Sequence, residues 1–369
     1  MHTKLFFPIF FSILLFSSCS KQPDVIKLGA TFPLTGEVAS YGVKAQRGIQ
    51  LALDEQNAKG GILGKQVQID FQDDRNDKKE AVSIVNKFAT IDHLPLIFGS
   101  AGSSATLAVT PIINQNNVVL ISPISSSSLL SKEGGSFFFR TVPADDIQAK
   151  VLAGWVFKHG ATNVAVVYTN NSWGKPLADG FEEKFKELGG NVLLSEGTNE
   201  NSTDFRPIIL KLKKLTNLDA IVSPTYPKEG GALVKQLKEL GAEKILFGGD
   251  NWGSPEFISI AGNAAEGAFY TAPAKSTSPL FEDFAKRYEA KFGEKPDVFG
   301  AYSFDAATAA FKSIEKAQNV ESVKIQEALR EISFMGVSGE IRFTSTGDLA
   351  TEGFDKMTIK NGKPEKIKE

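Results

Sequence analysis

Short apolar runs alternate along this chain with longer stretches whose apolar residues recur at helical spacing. Val25–Phe32 reads as a strand, and Tyr41–Ala58 as a helix carrying Val43, Ile49, Leu51 and Leu53 at that spacing. The glycines of Asn57-Ala58-Lys59-Gly60-Gly61 stop it. Strands follow at Val67–Phe71, Leu96–Phe98 and Val118–Ile121, separated by helical patterns at Ala81–Ala89 and Ser104–Asn114. This order predicts a parallel sheet with helices on both faces. After Phe137–Arg140 the order restarts with helix Asp146–Lys158, strand Val164–Tyr168, helix Pro176–Leu188 and strand Asn191–Ser195. Helix Phe205–Lys214, strand Ala220–Ser223, helix Gly230–Leu240 and strand Lys244–Phe247 complete it. Two doubly wound α/β units of similar size are expected in tandem, with a boundary near Thr141–Asp145.

The C-terminal third predicts helices at Pro279–Phe292, Ala301–Ala317 and Val323–Ile332, but strands only at Glu340–Phe343 and Phe354–Ile359. That is too little strand for a third sheet, so these elements are expected to complete the first two. The expected lobes are 24–142 plus 274–345, and 143–273 plus 346–369, joined by several crossings. Multiple crossings let two lobes close without separating. The Lys-rich tail from Lys356 is expected only to face water.

Residues 1–18 read as a signal peptide. Lys4 supplies the positive start, and the apolar run Leu5–Phe16 falls short of the about 20 residues that span a bilayer. Ser17 and Ser18 precede Cys19 in the manner of a bacterial lipobox, so Cys19 is expected to carry a lipid and to tether an exported protein to a membrane. An exported thiol with no partner is otherwise hard to explain.

Composition narrows the function. Lys+Arg number 41 and Asp+Glu 43, a net charge of −2, which gives no electrostatic footprint for nucleic acid. One cysteine excludes an intrachain disulfide and a cysteine zinc cluster. No metal site and no cofactor are expected. His93 and His159 have no nucleophile or carboxylate pattern around them and read as surface residues. Gly60–Gln66 follows a helix instead of linking strand to helix, so it is a turn and not a phosphate loop. Asp73-Asp74-Arg75-Asn76-Asp77 lacks the glycine and distal glutamate of a calcium loop and reads as a helix N-cap with solvated carboxylates. No nucleophile elbow, zinc helix or dinucleotide fingerprint is present, and no catalytic residues are expected.

What remains suits the binding of a small polar molecule. Gly99–Thr106 follows a strand end and opens a helix, where free N–H groups and hydroxyls can receive a carboxylate. The next strand also ends in hydroxyls, at Ser122 and Ser125–Ser128. Ligands of open α/β sheets bind beyond such strand ends. In the second unit the strand ends carry Trp173, Tyr226, Asp250 and Trp252. A carboxylate opposite a hydroxyl cluster suits a zwitterion, because a buried ammonium needs a counter-charge.

The run Ile26-Lys27-Leu28-Gly29-Ala30-Thr31-Phe32-Pro33-Leu34-Thr35-Gly36 resembles the opening of the Leu/Ile/Val-binding protein family, type I periplasmic receptors of ABC importers. The likeness continues through Asn57–Ile62, Asp73-Asp74, Gly99-Ser100, Ile121-Ser122-Pro123, Trp173-Gly174, Asp204-Phe205, Gly248-Gly249-Asp250 and Ala265-Glu266-Gly267, nearly the whole mature chain in order. It implies the type I periplasmic-binding-protein fold and a role in amino-acid transport, with a permease and its ATPases as partners. By its motif Ser103 and Ser126 would hold a ligand carboxylate. A carbonyl around Ile124–Ser125 would share the ammonium with Asp250. Tyr41 and Phe299 would line the first-lobe side, and Trp173 would close from the second. At Thr225–Tyr226 the alignment leaves both residues open, and chemistry favours Tyr226. Relatives with a disulfide would carry it at the positions of Asn76 and Gly102. Trp173 replaces a commoner tyrosine, which is expected to shift selectivity toward bulkier or more apolar ligands. A branched-chain or other apolar amino acid is the first expectation. Alternatives are an amide, urea or an aromatic acid on the same fold, or a sensing module for a signalling partner.

Overall fold

The protein is described by a computed structural model covering residues 25–276, 279–350 and 353–368, together with His2. The leader and Cys19 lie outside the described residues. Strands β1 (Ile26–Phe32), β2 (Val67–Asp73), β3 (Leu96–Gly99), β4 (Val119–Ser122) and β5 (Phe138–Arg140) form one sheet in the order β2-β1-β3-β4-β5. All of its pairings are parallel. Every residue of β3 and β4 is buried, as required of central strands covered on both faces.

The second sheet contains β6 (Asn163–Thr169), β7 (Asn191–Thr198), β8 (Ala220–Ser223), β9 (Ile245–Gly248) and β10 (Phe269–Pro273). A two-stranded ribbon, β11 (Ser333–Met335) and β12 (Glu340–Arg342), belongs with the first unit, and β13 (Phe354–Lys360) and β14 (Lys363–Lys366) extend the second sheet. Its order is β14-β13-β10-β9-β8-β6-β7, parallel from β10 to β7 and antiparallel at β13 and β14.

The two doubly wound units expected from periodicity are therefore present. One core joins residues between Ile26 and Val142 to Phe281–Leu349, so the late helices Pro279–Phe292, Val298–Ala317 and Ser322–Glu331 pack on the first sheet. Separate cores around Val166, Phe247, Ile221 and Trp252 fill the second unit. Among the described residues the chain passes between the units three times: after Arg140, after Pro273 and after the ribbon. Helices Ala39–Ala58 and Val298–Ala317 approach closely because Gly48 has no side chain; a Cβ there would lie 2.3 Å from the Gly300 carbonyl.

Three expectations are corrected. The tail from Lys356 is a hairpin added to the sheet, although β14 remains fully exposed. Asp77 does cap helix Lys78–Thr90, accepting from the N–H groups of Lys79 and Glu80, but Asp74 is buried and not solvated. Trp252 belongs to the second-unit core, stacked on Phe257 with ring centroids 4.7 Å apart.

Candidate ligand site

A small cavity opens between the two units. Ser103, the first residue of helix Ser103–Asn116, and Ser126, in the loop after β4, line its first-unit side. Hydrogen bonds hold this floor from behind. Ser122 Oγ and Ser125 Oγ donate to the Ser100 carbonyl at 2.8 and 2.9 Å, and Ser125 Oγ meets Thr106 Oγ1 at 2.6 Å. Ser125 is fully buried and does not line the cavity, so its side chain supports the loop. The Ser127 N–H donates to Ser103 Oγ at 3.3 Å, which leaves the Ser103 hydroxyl proton for another acceptor.

Asp74 anchors the same floor. It accepts from Thr31 Oγ1 at 3.0 Å, from the Asn76 N–H at 2.9 Å and from Ser100 Oγ. Burial pushes its carboxyl above the usual range, and those donors oppose the shift. A Cβ on Gly102 would sit 1.9 Å from Asn76 Oδ1, so the positions that resemblance pairs in a disulfide abut here through an amide and a glycine.

The opposite wall comes from the second unit. Trp173, just before helix Gly174–Glu187, stacks on Tyr226 at 5.2 Å with the rings 4° from parallel. Tyr226 lines the cavity, whereas Thr225 is fully buried and accepts from Trp252 Nε1 at 3.2 Å. Asp250 opens the turn after β9. Its Oδ1 is buried with no hydrogen-bond partner, and desolvation pushes its carboxyl up to about 6. A buried carboxylate oxygen without a donor is costly unless a ligand supplies one.

Asp145 stands behind Asp250. Its carboxyl is raised well above the ordinary range by burial and then by the Asp250 charge. The Gln148 amide, in its better-satisfied orientation, bridges the two by donating to Asp145 Oδ1 and accepting from the Asp250 N–H. The first unit adds Tyr41 and Phe299, in edge contact at 5.2 Å. Burial, then the Asp250 charge, raises the Tyr41 phenol well above its usual value.

The units touch across the cleft. Tyr41 Oη donates to Asn251 Oδ1 at 2.7 Å, the Ser172 N–H donates to Ser104 Oγ at 3.1 Å, and Lys228 pairs with Glu37 at the rim. That rim pair is part-exposed, so Lys228→Ala is expected to change ligand affinity by less than about 1 kcal/mol; titrations at low and high salt check it.

Seven residues singled out from sequence therefore surround one cavity: Tyr41, Ser103, Ser126, Trp173, Tyr226, Asp250 and Phe299. Ile124, named from sequence for its carbonyl, also lines the cavity; sequence reading missed Asn251 and Val38 in the lining, and Asp145 and Gln148 behind it. Asn251 adjoins Asp250 and was within reach of the strand-end argument. Asp145 carried no signal, because an aspartate at a helix start is ordinarily a solvated cap. Among the described residues no cluster of His, Cys, Asp and Glu fit to hold a metal ion occurs, and no helix is long and apolar enough to cross a membrane.

A family model described as periplasmic binding protein matches residues 25–363. The chain is 30% identical over 341 residues to the leucine-, isoleucine-, valine-, threonine- and alanine-binding protein of Pseudomonas aeruginosa, covering 92% of this chain and 91% of that one. It is 31% identical over 342 residues to the Leu/Ile/Val-binding protein BraC3 of Rhizobium johnstonii, covering 92% of each. Among solved structures it resembles LivJ of Streptococcus pneumoniae, crystallised with isoleucine (TM-score 0.84, 31% identity, 94% and 100% coverage). The leucine-binding protein LivK of Thermotoga maritima is also similar (TM-score 0.86, 28% identity, 93% and 98% coverage).

Proposed function

Because the chain belongs to the periplasmic binding protein family, we propose that it is the extracytoplasmic receptor of an ABC importer, taking an apolar amino acid between its lobes. One observation carries the choice of ligand. Asp250, whose Oδ1 is buried without a partner, lines the same cavity as Ser103 and Ser126 and the rings of Tyr41, Phe299, Trp173 and Tyr226. A zwitterion with an apolar side chain complements all three features. An aromatic acid without an ammonium would leave Asp250 unpaired and repelled.

In this reading the ligand carboxylate rests on Ser103 and Ser126, and the ammonium meets Asp250 and a carbonyl near Ile124–Ser125. Tyr41, Phe299, Trp173 and Tyr226 enclose the side chain. The lobes are the two units, the first closing at Val142 and taking up the chain again through Leu349. Their closure is a two-state equilibrium that the ligand shifts by binding the closed form more tightly. A permease would read that form, its ATPases would drive transport, and a lipid on Cys19 would keep the receptor at the membrane. The chain would bind its ligand without turnover.

A thermal-shift panel on protein stripped of ligand by unfolding and refolding tests this. Leucine, isoleucine or valine at about 100 times the dissociation constant should stabilise the protein by about 2.7 kcal/mol. Shifts only with urea, amides or benzoate would overturn the amino-acid assignment.

A further inference from the structure

Arg140 ends β5, and its side chain is completely buried. A buried guanidinium persists only where its donors and charge are met. Nε and Nη2 face Asp348 Oδ1 at 2.7 and 2.6 Å, and Nη2 also donates to Ser131 Oγ at 2.6 Å. Nη1 donates to two main-chain carbonyls, Ser127 at 2.9 Å and Ser125 at 3.4 Å. Both belong to the loop that carries Ser126. Asp348 lies in the turn between Phe343 and Leu349, which pair as a bridge in the first unit, and the Arg140 N–H donates to the neighbouring Gly347 carbonyl at 2.9 Å.

We propose that Arg140 is a positioning residue: its guanidinium fixes the peptide planes of the Ser125–Ser128 loop so that the Ser126 N–H faces the cavity, with Asp348 as its counter-charge. The peptide unit is planar and trans, so C=O and N–H point in opposite directions. Drawing the Ser125 carbonyl toward Nη1 turns the Ser126 N–H the other way, and Ser126 lines the cavity. The following plane is held too. The Ser126 carbonyl accepts from the Asp145 N–H at 2.9 Å, and the Ser127 N–H meets Ser103 Oγ. Both proposed carboxylate-binding serines thus depend on one loop fixed from behind. The inference rests on the reading that an anionic ligand group occupies this floor.

Asp348 balances the charge but touches neither carbonyl, so the two partners are separable. Calorimetric titration with leucine, and separately with benzoate, is the test. Asp348→Asn should lower the melting temperature yet leave the leucine dissociation constant within about threefold. The double variant Arg140→Gln/Asp348→Asn, which leaves neither charge buried alone, should weaken leucine about tenfold or more. A purely structural ion pair would move both alike, and equal dissociation constants in the two would overturn the proposal. If the double variant does not fold, Arg140→Lys keeps the charge while offering one ammonium to both carbonyls. The same weakening is expected there, and unchanged binding would refute the role. Unmodified protein that takes benzoate but not leucine would sink the amino-acid reading alone, and the variants would then be compared on benzoate. Binding of neither would sink both.

Discussion

Replacing Asp250 by asparagine is expected to weaken leucine binding by about 2–5 kcal/mol, because an ammonium would lose its desolvated counter-charge. The same group should set the pH dependence. With the Asp250 carboxyl raised to about 6 in the unliganded protein, binding the ammonium requires first removing a proton. Affinity should be full above about pH 7 and fall toward tenfold per pH unit below about 6; Asp250→Asn should flatten that profile. Asp145 is the neighbour most affected. Burial, and then the Asp250 charge, raise its carboxyl well above the ordinary range, so it responds to any change of charge at Asp250. Stability without ligand should run in the opposite sense. A carboxyl whose folded pKa is raised lets the folded state hold the proton longer, so the melting temperature should fall as pH rises from about 4 to about 6. Titrations between pH 5 and pH 8 would decide, and a flat affinity profile in the unmodified protein would remove Asp250 from the site.

Truncating Trp173 to alanine carries the second large effect. The ring is 4% exposed, stacks on Tyr226 and rests on Ala149 and Leu177. Its loss should lower stability by about 3–5 kcal/mol, the usual cost of emptying a buried aromatic position. Leucine affinity should fall by about 1.5–3 kcal/mol as the apolar wall is removed. Trp173→Phe separates the two, since it keeps a ring against Tyr226 and should recover most of the stability. Melting curves with and without ligand give both numbers. Unchanged leucine affinity in the alanine variant would place Trp173 in the core alone.

The buried parallel strands were legible in sequence because apolar runs such as Leu96–Phe98 and Ala220–Ser223 stand out between amphipathic helices. The strand Phe269–Pro273 and the ribbon Ser333–Met335 with Glu340–Arg342 gave weaker signals. Phe269–Pro273 is only partly buried and pairs with Phe354–Lys360, distant in sequence, while the ribbon is mostly exposed. The polar side of the site was readable where hydroxyls cluster at strand ends. Arg140 and Asp74 were not readable as buried groups, because burial of a charge makes sense only once its partners are known: Asp348 for one, Thr31 and Ser100 for the other. Trp252 shows the converse, since a strand-end aromatic looks alike whether it turns to a cleft or to a core.

The terminal hairpin has a consequence for life in a crowded compartment. A sheet edge offers unpaired N–H and C=O groups to any passing strand. Here the outermost strand, Lys363-Pro364-Glu365-Lys366, is short, fully exposed, three-quarters charged and interrupted by a proline that cannot donate. Such a strand caps its own sheet while giving a second molecule little to pair with, which guards the protein against edge-to-edge aggregation.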